Sequence, residues 1–211
     1  MVLGLFTVII MGVVAYAYWR EGPLTAFAMC VNVVVAGILA FNFFEPIADL
    51  LESGLEDTFA AGTEDALAMM AIFLPVLALL RYVANSIAPS HMEYPPVLYR
   101  AGGVGFGLLA GYLLSGFLVC VLQTLPLQQN FLTFEIAEPG KTHPMRKVMP
   151  PDLVWLAMLH RVSDGKRLGW EESFDAYCNF ELRYQRYRRF DESGEPLKWH
   201  HELWGKDPAK E

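Results

Sequence analysis

Residues able to do covalent chemistry are scarce in the apolar first 125 residues of this 211-residue chain. A protease working inside a membrane needs a serine with a histidine partner, or two aspartates, within its apolar segments. Ser115 lies in such a segment, but no histidine or aspartate lies in any predicted span. The sequence also lacks HExxH, the phosphate-binding GxxxxGK[ST] pattern and a nicotinamide-binding fingerprint. We therefore predict a non-enzyme without a cofactor.

Side chains that could bind a metal are present but badly spaced for it. The stretch from Glu45 to Asp65 holds seven acids and no base, which equals the net charge of −7. The DxDxDG spacing of a calcium loop is missing from it, so a solvated acidic face is the better interpretation. Adjacent His200 and His201 cannot both face one way on a helix. The sequence predicts no metal site, and three scattered cysteines without CxxC spacing predict no disulfide framework.

A few polar residues lie inside apolar segments, where they are costly. Arg81, Asn32 and Asn85 could line a polar path, because an arginine in a membrane span is a candidate functional residue. The alternative for Arg81 is that it extends to the lipid headgroups from near the end of its helix. We expect Asn32 and Asn42 to hydrogen-bond to other helices.

Hydropathy predicts an all-α protein whose membrane domain covers residues 1–126. Apolar runs of spanning length predict a four-helix transmembrane bundle. The predicted spans are residues 2–19, 24–44, 66–88, with a kink at Pro75, and 101–125. Between the second and third spans, apolar residues at helical spacing alternate with acids. We therefore predict an amphipathic helix over residues 45–61, lying at the interface or against the mouth of the bundle.

The last span carries a regular row of small residues. Gly103, Gly107, Gly111 and Ser115 recur every four residues and so share one helical face. Helices in lipid associate where small residues let their backbones approach closely. We predict that this face packs on another helix, within the bundle or in a homo-oligomer.

After the last span the chain becomes water-compatible. Residues 127–151, rich in proline, predict a linker, and residues 152–211 a mostly helical tail that is soluble or peripheral. Residues 152–162 predict a short tail helix with apolar Leu153, Leu156, Ala157 and Leu159. Residues 170–190 predict a longer one, with an aromatic stripe made of Phe174, Tyr177, Phe180, Tyr184 and Tyr187. Arginines beside aromatic rings suggest nucleic-acid binding, but neighbouring acids leave the region nearly neutral and argue against it. We expect the stripe to bind the bundle, a membrane surface or a protein partner.

Four spans and the run Arg100-Ala-Gly-Gly-Val-Gly-Phe-Gly leading into Gly111 resemble the colicin V production protein (CvpA) family of bacterial inner-membrane proteins. The family pattern before the last helix is approximately Asp-Arg-x-x-Gly-x-x-Phe-Gly-x-x-x-Gly. Arg100, Gly103, Phe106, Gly107 and Gly111 match it, whereas Tyr99 occupies the aspartate position. The resemblance covers about residues 1–125. It implies a helical membrane protein connected with toxin production or export and with envelope homeostasis.

Basic residues in short loops predict the orientation. The Arg20 turn and the loop between Arg81 and Arg100 are expected to be cytoplasmic, which puts both termini outside. Our first functional hypothesis is a membrane scaffold or accessory protein whose tail recruits a partner. The alternative is a small transporter or channel component with a polar path near Arg81. Expected partners are membrane lipid, further copies or other membrane proteins, and a protein bound by the tail.

Overall fold

The computed structural model of the chain describes residues 2–55, 63–87, 95–125 and 151–163. All five elements within these ranges are α-helices: α1 (Val2–Tyr18), α2 (Pro23–Leu55), α3 (Glu64–Ile87), α4 (Pro96–Thr124) and α5 (Pro151–Ser163). No strand occurs among the described residues. The prediction of an all-helical chain is therefore confirmed over these ranges.

Three of these helices are long and apolar enough to cross a membrane. They are Pro23–Leu51 within α2, Glu64–Ile87 and Pro96–Thr124. α1 is apolar but shorter, with 17 residues. Along these three helices apolar side chains such as Leu74 and Leu79 point outward, which is expected of helices that face lipid.

The predicted boundary between residues 44 and 45 is absent. α2 continues without a break through Pro46 to Leu55, so residues 45–55 are not a separate helix. Proline removes one backbone donor, but tertiary packing can hold a helix together across it. Here Phe44 and Ala48 are buried and Ile47 packs against the core, which supports the extension. Residues 56–62 of the predicted amphipathic helix lie outside the described ranges.

α4 lies at the centre of the fold and contacts each of the other four helices. α1 packs mainly on α4, and α2 packs on both α3 and α4. An aromatic cluster joins four helices: Phe41 of α2, Phe73 of α3, Phe117 of α4 and Trp155 of α5. The rings of Phe73 and Phe117 stack with their centroids 3.9 Å apart, and Phe117 meets Phe41 edge to face at 6.0 Å.

Candidate functional site

The small-residue face of α4 lies against α1, and the two helices run antiparallel. Gly103 is nearest to Tyr18, Gly107 to Ala15 and Gly111 to Met11, so successive turns of α4 meet successive, earlier turns of α1. Among the four predicted packing residues, Ser115 is also fully buried, and its hydroxyl donates a hydrogen bond to the carbonyl of Tyr112, 2.8 Å away.

The glycines of this face meet backbone atoms. A Cβ on Gly107 would lie 2.8 Å from the Cα of Ala15, and one on Gly111 would lie 2.6 Å from the Cα of Met11. Backbone atoms in a helix cannot rotate away as a side chain can, so these positions require glycine for the observed approach. Gly105, on another face of α4, has no atom within 4 Å of the same hypothetical Cβ.

The three residues of the predicted polar path occupy different environments. Arg81 lies at the surface, where its Nη2 is 3.4 Å from Glu21 Oε1 and its guanidinium is 5.8 Å from the centre of the Tyr18 ring. Asn85 is exposed, whereas Asn32 is buried. Asn42 is exposed as well, so the expectation that it faces another helix is wrong for the described structure.

The motif residue Arg100 is exposed near the start of α4, beside a contact with the first interhelical turn. The hydroxyl of Tyr99 donates a hydrogen bond to the carbonyl of Arg20 at 3.3 Å. Gly22 in that turn has a φ of 90°, and a Cβ there would lie 2.5 Å from the Tyr99 ring. Tyr99 thus ties α4 to the turn between α1 and α2 through its hydroxyl and its ring.

A second contact of α4 is made by α5, which lies in the core. Trp155 is fully buried between α2 and α4, and Leu156 and Leu159 belong to the same hydrophobic cluster. Two glycines make room for it. A Cβ on Gly37 would overlap the indole of Trp155, and one on Gly116 would overlap the carbonyl of Pro151.

Beside this indole lies a buried carboxyl group. Asp152 is fully buried in the first turn of α5, and its Oδ2 accepts a hydrogen bond of 2.8 Å from Nε2 of Gln123. Gln123 is itself only 5% exposed, at the carboxyl end of α4. Removing a carboxyl group from water is costly unless it is hydrogen-bonded, so this polar pair contributes to the position that α5 can take on the bundle.

The short helix predicted over residues 152–162 is present as α5, which begins with Pro151 and an acid, a common helix start. The sequence predicts this helix as part of a water-compatible tail, and it does not predict the docking of the helix or the roles of Asp152, Gln123 and Trp155. The aromatic stripe proposed as a partner face, Phe174 to Tyr187, lies outside the described residues. Within the described ranges no group of three or more histidines, cysteines or acids is arranged to hold a metal ion.

Comparison with known proteins identifies the family to which the membrane part of the chain belongs. The family described as "Colicin V production protein" matches residues 3–138, which include α1 to α4 and end before α5. No curated protein sequence and no solved structure matches the chain. The family match covers more than half of the sequence and agrees with the glycine-containing motif at the start of α4. The chain therefore belongs to the colicin V production protein family of membrane proteins.

Proposed function

We propose that this protein is a non-catalytic membrane scaffold or accessory protein that acts in toxin production or export, or in envelope homeostasis. In this proposal the helices form a fixed bundle, and the segment after α5 binds a protein partner. The observation that carries it is the insertion of Trp155 between α2 and α4. A helix held at this position gives the following segment a fixed starting point on the membrane part.

The bundle is proposed to cross a bacterial inner membrane four times, with α1 as the fourth span. α1 is apolar and packs along α4 from Gly103 to Gly111, which supports a shared membrane depth. Arg20, Arg81 and Arg100 lie at the end of the bundle where α1 and α3 end and α4 begins. Basic loops favour the cytoplasm, so this end is proposed to be cytoplasmic and both termini external.

The position of α5 links the bundle to the proposed partner-binding function. Trp155 lies beside Gly37, halfway along the apolar part of α2, so α5 reaches well into the bundle. Burying an indole and two leucines anchors a helix of only 13 residues. Short helices are marginal on their own, so α5 owes its stability to this packing. The aromatic stripe from Phe174 to Tyr187 is the proposed partner face.

A transporter or channel component is the alternative, and it has less support. Glu21, which pairs with Arg81, lies in the turn before α2, whereas Asn32 lies about 14 Å along the axis of α2 from its first residue. Arg81 and Asn85 face outward, whereas Asn32 is buried. The one observation in favour of transport is the buried carboxyl of Asp152, because an ionisable group within a membrane bundle is a candidate for moving ions.

The proposal is tested by releasing α5 from the full-length protein. Trp155→Ala should cost about 3–5 kcal/mol of docking free energy, a shift of at least about a hundredfold in the docking equilibrium. We expect trypsin to cleave after Arg161 much faster in the variant than in the wild type, both in lipid nanodiscs. Partner proteins crosslinked in the producing cell should be recovered with the wild type and lost with the variant.

The matched control is Val154→Ala, because Val154 is the neighbouring residue and is 43% exposed. It should leave both cleavage and partner recovery unchanged. Equal partner recovery from Trp155→Ala and wild type, despite faster cleavage, would refute the anchoring role. A measurable ion flux through the purified protein in liposomes, abolished by Asp152→Asn, would establish the transport alternative instead.

A further inference from the structure

The basic side chains of the membrane part gather at one end of the bundle. Arg20 lies in the turn after α1, Arg81 in the last two turns of α3 and Arg100 near the start of α4. The contacts already described connect them. Tyr99, the neighbour of Arg100, bonds to the carbonyl of Arg20, and Arg81 pairs with Glu21 beside it. We call Arg20, Arg81 and Arg100 the basic end.

The charge of this end is not neutralised by the described residues around it. Glu21 is the one described acid there, and it already pairs with Arg81. Arg20 and Arg100 are exposed and form no ion pair with another described residue. The other end of the bundle has the opposite character, with Glu45, Asp49, Glu64 and Asp65 among its described residues.

Aromatic and apolar side chains show the depth at which the arginines lie. Trp19 and Tyr82, the neighbours of Arg20 and Arg81, are 48% and 73% exposed. Exposed tryptophan and tyrosine at helix ends mark the headgroup level of a bilayer. Val97 and Leu98 are also strongly exposed, beside Tyr99 and Arg100. A ligand at this surface would therefore meet cationic groups and apolar side chains together.

We propose that the basic end binds the phosphate of an anionic phospholipid. Guanidinium groups bind phosphate oxygens through paired, charge-assisted hydrogen bonds, and Arg20 and Arg100 are free to do so. Arg81, held by Glu21 and the face of Tyr18, adds positive charge beside them. The acyl chains of the lipid lie against exposed apolar side chains deeper along α4, such as Leu108 and Leu109. Basic surfaces between membrane helices commonly recognise lipid headgroups in this way.

Phosphatidylglycerol is the test ligand, titrated into delipidated full-length protein in dodecyl maltoside, with bound lipid counted by native mass spectrometry. We expect phosphatidylglycerol to bind at least about tenfold more tightly than phosphatidylcholine. Each arginine near a membrane surface contributes about fivefold in affinity for anionic lipid, so Arg20→Gln with Arg100→Gln should weaken binding by roughly twenty-five-fold. The matched control is Arg161→Gln, which removes the same charge from an exposed position on α5 and should change nothing.

Three outcomes would overturn the proposal. The first is equal affinity of the wild type for both lipids, and the second is unchanged phosphatidylglycerol affinity in the double variant. The third is displacement of the lipid by an equal concentration of inorganic phosphate, which would make this a phosphate site rather than a lipid site. If the double variant does not fold, the salt dependence of lipid binding to the wild type tests the proposal instead. Raising NaCl from about 0.05 to 0.5 M must weaken binding of phosphatidylglycerol but not of phosphatidylcholine.

Discussion

The amino-terminal half of α4 meets α1 through backbone, whereas its carboxyl-terminal half meets α5 through an aromatic ring and a polar pair. In the first contact, which we call the glycine seam, Gly107 and Gly111 bring two helix backbones together. In the second, which we call the α5 seam, Trp155 fills the space that Gly37 leaves, and Gln123 binds Asp152.

The two seams teach different things about what holds helices together in lipid. Apolar side chains gain little by leaving lipid for another helix, so the glycine seam depends on close van der Waals contact along two backbones. The α5 seam instead pairs two groups that are costly in an apolar interior, because the carboxyl of Asp152 accepts a hydrogen bond from the amide of Gln123. Glycine therefore has opposite uses. At Gly107 it admits a backbone, and at Gly37 it admits a large side chain.

The seams also differ in their relation to the family. The match over residues 3–138 includes both helices of the glycine seam but stops before α5. The glycine seam is thus built entirely from the family's part of the chain. The α5 seam attaches a later segment to that part, so disrupting it should leave the bundle intact.

Among changes that act on the bundle of α1 to α4 itself, the largest effect on unfolding should come from Gly107→Leu, which disrupts the glycine seam. The new side chain must displace the Ala15 backbone, and over-packing of this kind costs about 3 kcal/mol. We expect a corresponding loss in the free energy of unfolding, measured by titration with sodium dodecyl sulfate in mixed micelles.

Gly105→Leu is the matched control for the same exchange on the same helix. Its Cβ meets open space, so the expected change is within about 0.5 kcal/mol. Unfolding free energies that are equal for the two variants would show that α1 does not pack on α4 as described.

The glycine seam could be predicted in part from sequence. The four-residue spacing from Gly103 to Ser115 defines a face by helix geometry alone, and the need for small residues follows from the chemistry of lipid. The identity of the partner could not be predicted in this way. Nothing in the spacing distinguishes α1 from a second copy, because the choice depends on which backbone reaches the face.

The α5 seam was not predicted, for a physical reason. The charged composition after residue 127 suggested a water-compatible tail, but composition averages over many residues. Docking depends on a few of them, here Trp155, Leu156 and Leu159. The end of α2 shows a related error. The acids that begin at Glu45 change the polarity of the surface, while the helix continues past them and through Pro46 to Leu55.

An intermediate effect should follow from breaking the polar pair of the α5 seam. Asp152→Ala removes the acceptor of a buried hydrogen bond, and the buried amide of Gln123 loses this partner. The expected loss in docking free energy is about 1.5–3 kcal/mol, measured by trypsin cleavage after Arg161 in nanodiscs. The unfolding free energy of α1 to α4 should stay unchanged.

A double-mutant cycle makes this prediction specific to the pair. Gln123→Ala should cost a similar amount, and the double variant should cost less than the sum of the two single variants by about 1 kcal/mol or more. Strict additivity would mean that the 2.8 Å contact does not contribute to docking.

The smallest effect should come from Arg81→Gln. Arg81 lies outside both seams, so this variant measures what a surface contact contributes to the free energy of unfolding, for comparison with the seams. Arg81 is 47% exposed and Glu21 is 40% exposed, so water and salt screen their attraction. The ion pair and the Tyr18 ring together should contribute about 0.5–1 kcal/mol to the free energy of unfolding.

Arg161→Gln is the control for loss of an exposed arginine without this contact. A loss above about 2 kcal/mol would require Arg81 to belong to a buried network, because a half-exposed ion pair cannot contribute so much. Such a result would favour a polar path near Arg81 as the functional part of the molecule. The two seams of α4 would then serve to hold that path in position.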